Sequence, residues 1–349
     1  MTVIPSTDDQ PPRRWVPLLV GTAFAMVVLA LAAVIQLNST VISIRRELPP
    51  VPRFDALPAS LEVVDRNGVL LRPFTTTNGR WRLPVTRDAV DPNFLAMLVA
   101  YEDQGFSTHR GVDWRSMLRA AGQFVGAGGR VVSGGSTLTM QVARLLDGPS
   151  TRSLSGKLRQ MVHAQALEEQ LGKDEILDLY LSLAPYGGNI EGIRAATLAY
   201  FGKEPKRLTT AEAALLVSLP QSPEARRPDE DPEAARRGRD MVLDRLVALH
   251  VISREEAEAA RREPIPTGRR PFPMLAAHLA ETAARTQPSA RSISLTVDKR
   301  LQDALERLAA TRASMVDQRT SVAIVAADIA TGEVLASVGS AGLLKPESD

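Results

Sequence analysis

The sequence contains no cysteine, few aromatic residues and almost no net charge. Without cysteine the chain can form no disulfide, carry no thiolate nucleophile and offer no Cys-ligated zinc. Its 4 histidines lie far apart in the sequence, which argues against a His-based metal site. Lys+Arg 42 against Asp+Glu 40 gives a net charge of +2, so the overall charge favours neither nucleic acid nor a strongly acidic partner. The charges that matter for function must therefore be local.

One long apolar run is present near the start of the chain. Residues 16–36, which begin VPLLVGTAFAMVVLALAAVI, carry no charge and have about the length of a bilayer-spanning helix. A cleaved signal peptide is the alternative, but its apolar core is usually only about 7 to 15 residues long. We therefore expect a transmembrane helix that follows a tail of residues 1–15. Arg13 and Arg14 on one side balance Arg45 and Arg46 on the other, so charge alone leaves the orientation open.

The 349 residues suffice for about two domains of roughly 150 residues each. Residues 37–80 predict a linker and a small β-element, with a hairpin turn in Asp65-Arg66-Asn67-Gly68. Apolar residues at spacings of three and four predict one helical domain over 81–250. Residues 251–291 are charged and contain proline, which predicts the end of a helical hairpin from about residue 254, followed by a linker. From 292 to 349 the pattern changes to strand, helix, strand, strand.

Two segments of the helical region could carry chemistry. Glu102 in YEDQGFSTHRG ends an apolar helix, where desolvation raises a carboxyl pKa toward general acid or base use, although an acidic pair at a helix end is more often a solvated terminus. In GGSTLTMQVAR, residues 134–144, glycines and hydroxyls lead into a helix whose free N–H groups suit an anion. The alternative is a helix capped by Ser136 or Thr137.

A third group is cationic and comprises Arg144, Arg152, Lys157 and Arg159. The planar fork of arginine suits pyrophosphate oxygens, although a run of charges is also typical of a solvated face. None of the three groups identifies a function alone.

Together and in this order, the segments resemble the family 51 peptidoglycan glycosyltransferases. YEDQGFSTHRGVDW resembles the motif Glu-Asp-x-x-Phe-x-x-His-x-Gly, and GGSTLTMQVARLL resembles Gly-x-Ser-Thr-x-Thr-x-Gln. Further on, KDEILDLYLSL is similar to Lys-x-x-Ile-x-x-x-Tyr-Leu-Asn, and RDMVLDRL to Arg-x-x-Val-Leu. The resemblance covers roughly residues 80–250 and is closest to the 1C subgroup of class A penicillin-binding proteins. Several ordered motifs are far more specific than one short pattern.

The resemblance implies a mainly α, lysozyme-like glycosyltransferase domain that polymerises lipid II, inverts the anomeric carbon and releases undecaprenyl pyrophosphate. By position, Glu102 matches the general base, and Phe106, His109 and Gly111 match scaffold positions of the first motif. The resemblance places the following residues at the substrate: Asp103, Phe106, His109, Ser136, Thr137, Thr139, Gln141, Arg144, Arg152, Lys157 and Gln160. Mg²⁺ or another divalent cation could share the stabilisation of the leaving group, although no motif here identifies a metal site.

The sequence departs from the family pattern at several points, and two of these departures bear on the expected activities. Gln160 stands where many members carry a second glutamate, and an amide cannot titrate. Residues 292–349 resemble the α+β start of a transpeptidase domain, but the 349 residues contain no Ser-x-x-Lys. We therefore expect no transpeptidase activity from this chain and interpret its transpeptidase region as truncated.

Lipid II is consumed outside the cytoplasmic membrane, so the resemblance predicts a single-pass protein of the bacterial inner membrane with its catalytic domain on the periplasmic side. The implied partners are lipid II, the growing glycan strand, the membrane and other cell-wall synthesis proteins, with no nucleic acid. Two alternatives stay open: a lysozyme-like peptidoglycan hydrolase, which also uses a helix-borne glutamate, and a non-catalytic membrane-anchored scaffold.

Overall fold

The computed structural model describes residues 16–126, 135–148, 153–316 and 322–339, and helices dominate these segments. The helices are α1 (Val16–Glu47), α2 (Pro92–Glu102), α3 (Trp114–Gly126), α4 (Leu138–Asp147), α5 (Leu154–Glu168), α6 (Lys173–Leu183), α7 (Ile193–Phe201), α8 (Thr210–Ser218), α9 (Pro232–Ala248), α10 (Arg254–Arg262), α11 (Ala277–Thr286) and α12 (Lys299–Val316). The prediction of a mainly α protein is confirmed.

The strands are short and form three small sheets. They are β1 (Glu62–Val64), β2 (Leu70–Pro73), β3 (Trp81–Arg82), β4 (Ile190–Glu191), β5 (Ser292–Ser294), β6 (Ile324–Ala327) and β7 (Val334–Val338). β1 and β2 form the predicted antiparallel hairpin, and β6 and β7 form a second one. β5 adds to β1 in parallel, which joins the segment before the helical domain to the segment after it.

The first helix projects from the domain. Its apolar side chains from Gly21 to Leu37 are exposed, and within the described residues it alone is long and apolar enough to cross a membrane, by length and composition. The helix continues to Glu47, and its last turn contacts α5. Arg45 donates two hydrogen bonds to Glu169 (2.7 and 3.1 Å), and Arg159 donates to the carbonyl of Glu47 at 3.3 Å.

One large core holds the helical domain together. α6 lies at its centre, because every residue from Ile176 to Leu183 is buried. α2 and α9 pack against α8, and α4 packs against both α5 and α6. Thr209 caps α8 through a capping box with Glu212, as the sequence predicts for Thr-Thr-Ala-Glu. This arrangement brings the C-terminal end of α2 and one face of α4 to a common cleft.

Residues 251–291 contain α10, where the sequence predicts the end of a helical hairpin, and α11, where it predicts a linker. Ala257 and Ala260 of α10 are buried in the large core. Ala276 and Ala280 belong to a second core with Val63, Leu71, Ile293 and Val297. The remaining residues of α10 are mostly charged and exposed, so its buried face consists of small alanines.

Candidate active site

Glu102 is the last residue of α2, and the structure of that helix explains its position. Asp91 caps the N-terminus by accepting hydrogen bonds from the N–H groups of Asn93 and Phe94. Phe94, Met97, Leu98 and Tyr101 bury the apolar face of the helix in the large core. The carboxylate next to this face is therefore half-buried at the floor of a cleft, and it is not a fully solvated helix end.

Two glutamine side chains hold the carboxylate of Glu102. Gln141 Nε2 donates to Oε2 at 2.7 Å, and Gln221 Nε2 donates to Oε1 at 2.8 Å. Burial raises the pKa of Glu102, whereas these two hydrogen bonds and the charges of Arg245 and Arg144 act in the opposite direction. The site thus combines a carboxyl of elevated proton affinity with a fixed orientation, which is what a general base requires.

Cationic side chains surround this carboxylate. Arg144 is exposed on α4, and Arg245 on α9 lies with its guanidinium 4.9 Å from the ring centroid of Tyr101. Lys157 on α5 donates to Ser136 Oγ, and burial together with the charge of Arg144 lowers its pKa. Within the described residues, no acidic side chain forms an ion pair with any of these three cations. Uncompensated positive charge of this kind favours an anionic ligand.

Asp103 has a different environment from its neighbour. Its carboxylate is buried, accepts a hydrogen bond from the N–H of Leu138 at 2.9 Å and lies 2.9 Å from His109 Nε2. Asp103 therefore joins the end of α2 to the start of α4 and to the turn after α2. These contacts position the segment that carries Glu102.

Thr137 and Gly111 fix the start of α4 against α5. The hydroxyl of Thr137 caps α4 by accepting from the N–H of Met140, and it donates to the carbonyl of Gly111 at 2.6 Å. Gly111 has a φ of +80°, and a Cβ there would lie 2.6 Å from the carbonyl oxygen of Ala164. The capped-helix interpretation of the second motif is therefore the one that the structure shows for Thr137.

Thr139 does not line the cleft as the resemblance implies. Its side chain is completely buried, and its hydroxyl donates to Glu168 Oε1 at 2.6 Å. The helical period explains the difference. Thr137, Gln141 and Arg144 share one face of α4 at spacings of four and three, whereas a residue two positions from Thr137 points to the opposite side.

Glu168, at the end of α5, is the centre of a buried polar cluster below the cleft. Lys173 Nζ donates to Glu168 Oε1 at 2.6 Å and lies 4.7 Å from the centroid of the Phe106 ring. His109 Nδ1 is 3.8 Å from the same carboxylate oxygen. Phe106 and His109 are thus placed as supports for the turn after α2 rather than along the open cleft.

The remaining predicted residues lie partly beyond the described chain. Ser136 is half-buried beside Glu102, and Gln160 is half-buried on α5, on the same helix as Lys157. Arg152 and most of the glycine-rich loop lie outside the described residues. The sequence analysis missed Gln221, which donates a hydrogen bond to Glu102, and Arg245, whose charge acts on it. Arg245 lies within the motif RDMVLDRL but does not stand out there, and Gln221 lies outside every quoted motif.

The chain is similar to one family model and to several known proteins. The family model described as "Transglycosylase" matches residues 67–247. Penicillin-binding protein 1C of Escherichia coli is 43% identical over 297 residues, which are 85% of this chain and 38% of that protein. A putative transglycosylase of Cupriavidus necator is 36% identical over 168 residues, which are 48% of this chain and 72% of that protein.

Penicillin-binding protein 1A of Pseudomonas aeruginosa is 35% identical over 222 residues, which are 62% of this chain and 26% of that protein. The chain therefore spans well under half the length of the two penicillin-binding proteins. The crystal structure of penicillin-binding protein 1A from Haemophilus influenzae aligns over 76% of this chain and 32% of its own, at 18% identity and a TM-score of 0.36. That likeness is too weak to establish a shared overall arrangement.

Proposed function

The chain belongs to the transglycosylase family, and we propose that it is a peptidoglycan glycosyltransferase that polymerises lipid II into glycan strands. The observation that carries this proposal is the environment of Glu102. A half-buried carboxylate held by two amide donors stands beside Arg144 and Lys157, two cations that form no ion pair with an acidic side chain of the described residues. A base and an anion site in one cleft match a transfer reaction with a pyrophosphate leaving group.

Glu102 acts as the general base. Its carboxylate takes the proton of the C4 hydroxyl of the acceptor N-acetylglucosamine while that oxygen forms a bond to C1 of the donor sugar. The bond between C1 and the pyrophosphate oxygen breaks, and the electron pair leaves with undecaprenyl pyrophosphate. Because the hydroxyl attacks from the face opposite the leaving group, the anomeric carbon is inverted. The raised pKa of Glu102 suits it to hold this proton until the product leaves.

Arg144 and Lys157 stabilise the charge that develops on the leaving pyrophosphate. Ser136 holds the ammonium group of Lys157 toward the cleft, and Arg144 approaches from the exposed face of α4. Fixed cations at the point where negative charge appears lower the barrier without reorganisation during the reaction. We assign Arg152 to the same task by its position in the sequence.

The described residues of this cleft offer few protein ligands to a divalent ion. Within the described residues no group of three or more His, Asp or Glu side chains could hold a metal ion. Asp103, the carboxylate next to Glu102 in the sequence, is already occupied by His109 and by the N–H of Leu138. The proposed reaction is therefore derived from the cations of the protein alone.

We propose that α1 anchors the protein in the bacterial cytoplasmic membrane, with the helical domain on the external side. The apolar length of the helix supports the anchor, and the location of the proposed substrate supports the orientation. The ion pairs between the end of α1 and α5 would then keep the cleft close to the surface that carries the polyprenyl lipid.

Polymerisation of lipid II by the detergent-solubilised chain tests this function. We expect wild type to form glycan strands and Glu102→Gln to lose about 10²-fold to 10⁴-fold of the rate, the usual contribution of general base catalysis. The matched control is Glu258→Gln, an exposed carboxylate on α10, which should retain wild-type activity. Melting temperatures of the three proteins should agree closely.

The alternatives give different products. Shortening of polymerised glycan in place of strand growth would identify a hydrolase. A folded wild-type chain that processes neither lipid II nor glycan would leave the non-catalytic scaffold and would overturn the proposed function.

A further inference from the structure

Gln221 donates a hydrogen bond to Glu102 from a part of the chain that none of the four quoted motifs includes. It ends the short 3-10 turn Leu219–Gln221 that follows α8, and it is 119 residues from Glu102 in the sequence. Its Nε2 donates to Glu102 Oε1, while Gln141 on α4 holds Oε2. The two amides therefore donate hydrogen bonds to the carboxylate from two different elements, α4 and the 3-10 turn. They leave the remaining lone pairs of the carboxylate available to a substrate hydroxyl.

Arg226 lies at the oxygen end of the Gln221 amide. Its Nη1 donates to the carbonyl of Ser218 at 2.7 Å and lies 3.5 Å from Gln221 Oε1. A guanidinium has donors and no acceptor, so it attracts the oxygen of the amide and turns the nitrogen toward the carboxylate. The Arg226 side chain runs over Gly238 of α9, where a Cβ would approach its Cδ to 3.0 Å.

We propose that Gln221 is a positioning residue of the glycosyl transfer reaction. Gln221 keeps the base Glu102 ionised and correctly oriented, and Arg226 holds the oxygen of the Gln221 amide. The proposal rests on the proposed function for its link to the reaction, and on the hydrogen-bond geometry for the link to Glu102. A neutral amide that donates to a carboxylate favours the ionised form, so Gln221 counteracts the effect of burial.

The other groups around Glu102 cannot replace this contact. Arg144 and Arg245 act on it through their charges, and Tyr180 and Tyr186 are fully buried hydroxyls that lie close enough to interact with its charge. Tyr101 precedes it on α2 and also interacts with Gln221. Within the described residues, Gln141 and Gln221 are the side chains that donate hydrogen bonds to Glu102.

The test compares wild type with Gln221→Leu, Gln221→Glu and Gln221→Lys in the full detergent-solubilised chain. The first readout is the protonation of Glu102, followed as the pH dependence of carbodiimide labelling at that residue by peptide mass spectrometry. The second is the acidic limb of kcat/KM for lipid II. Gln287→Leu, at an exposed glutamine beyond α11, is the matched control.

Gln221→Leu removes the hydrogen-bond donor. The midpoint of Glu102 labelling and the midpoint of the acidic limb of kcat/KM should both rise by about one pH unit, because hydrogen bonds to charged groups are stronger than those between neutral groups. Gln221→Glu should move them further, since a second carboxylate opposes ionisation. Gln221→Lys restores a donor and should return both midpoints to or below the wild-type value. At a pH well above the acidic limb, KM should stay within about twofold of the wild-type value, since the substitution acts on the base and not on substrate contacts.

A labelling midpoint that stays at the wild-type value in Gln221→Leu, or that moves equally in Gln287→Leu, overturns the inference while polymerisation of lipid II continues. In a different outcome, wild type does not polymerise lipid II, but the labelling midpoint of Glu102 still shifts in the Gln221 variants. That result contradicts the proposed function and supports the control of Glu102 ionisation by the hydrogen bond from Gln221.

Discussion

Glu102 and Asp103 show how two adjacent carboxylates acquire different tasks from their surroundings. Asp103 is 6% exposed, and its oxygens are occupied by His109 and the N–H of Leu138. Glu102 faces the cleft with amide donors that still leave lone pairs open. The sequence could indicate the pair through the helix that ends there, but not Gln221, because a contact across 119 residues leaves no local pattern.

The burial of Thr139 makes a residue-scale prediction that separates support from substrate contact. Thr139→Val keeps the shape of the side chain but removes the donor to Glu168, so we expect a loss of about 1 kcal/mol in the free energy of unfolding. KM for lipid II should be unchanged. Thr139→Ser keeps the hydroxyl and serves as the control in both denaturation and kinetics. If KM rises strongly in Thr139→Val while the free energy of unfolding is unchanged, Thr139 contacts the substrate in the cleft and the prediction is wrong.

At the scale of elements, α4 organises the site because its two faces do different work. One face carries Thr137, Gln141 and Arg144 toward the cleft, and the other face sends Thr139 to α5 and α6. The helical region followed from apolar spacing, because the domain predicted over 81–250 contains α2 to α9. The sequence did not predict which face of α4 meets the cleft. Thr137, Thr139 and Gln141 belong to one polar motif, and only tertiary packing decides which of their side chains face the cleft.

α4 and α5 also bring Arg144 and Lys157 together, and this predicts an anion effect. Inorganic pyrophosphate should raise the melting temperature of wild type, and Arg144→Gln should weaken pyrophosphate binding about tenfold, or about 1.4 kcal/mol. The pKa of Lys157 is lowered in the free protein, and a bound anion raises it. Affinity should therefore be highest below the pKa of free Lys157 and fall as the pH rises through it.

Calorimetric titration at several pH values would measure both effects. Arg300→Gln, an exposed arginine at the start of α12, is the control and should bind pyrophosphate like wild type. Equal affinities for wild type and Arg144→Gln would exclude Arg144 from the anion site.

At the scale of the whole molecule, residues before and after the helical domain meet in the second core. The hairpin of β1 and β2 was predicted from its turn, and so was the strand character of residues 292–298. Their pairing was not, because strands that lie more than two hundred positions apart share no sequence signal. The ion pairs of α1 with α5 were equally unpredictable, since Arg45 and Glu169 are 124 residues apart.

Ile293 tests whether this second core is separable from the candidate site. It is 5% exposed among Val63, Leu71 and Ala280, so Ile293→Ala should cost about 2 to 5 kcal/mol of local stability. We expect faster proteolysis of residues 276–339, with lipid II polymerisation close to wild type, because the helices α2 and α4 that carry Glu102 and Gln141 pack into the large core. Val325→Ala, at a side chain 68% exposed, is the control and should leave proteolysis unchanged. If polymerisation falls in parallel with protease resistance, the two cores act as one cooperative unit and β5 is required to hold the site together.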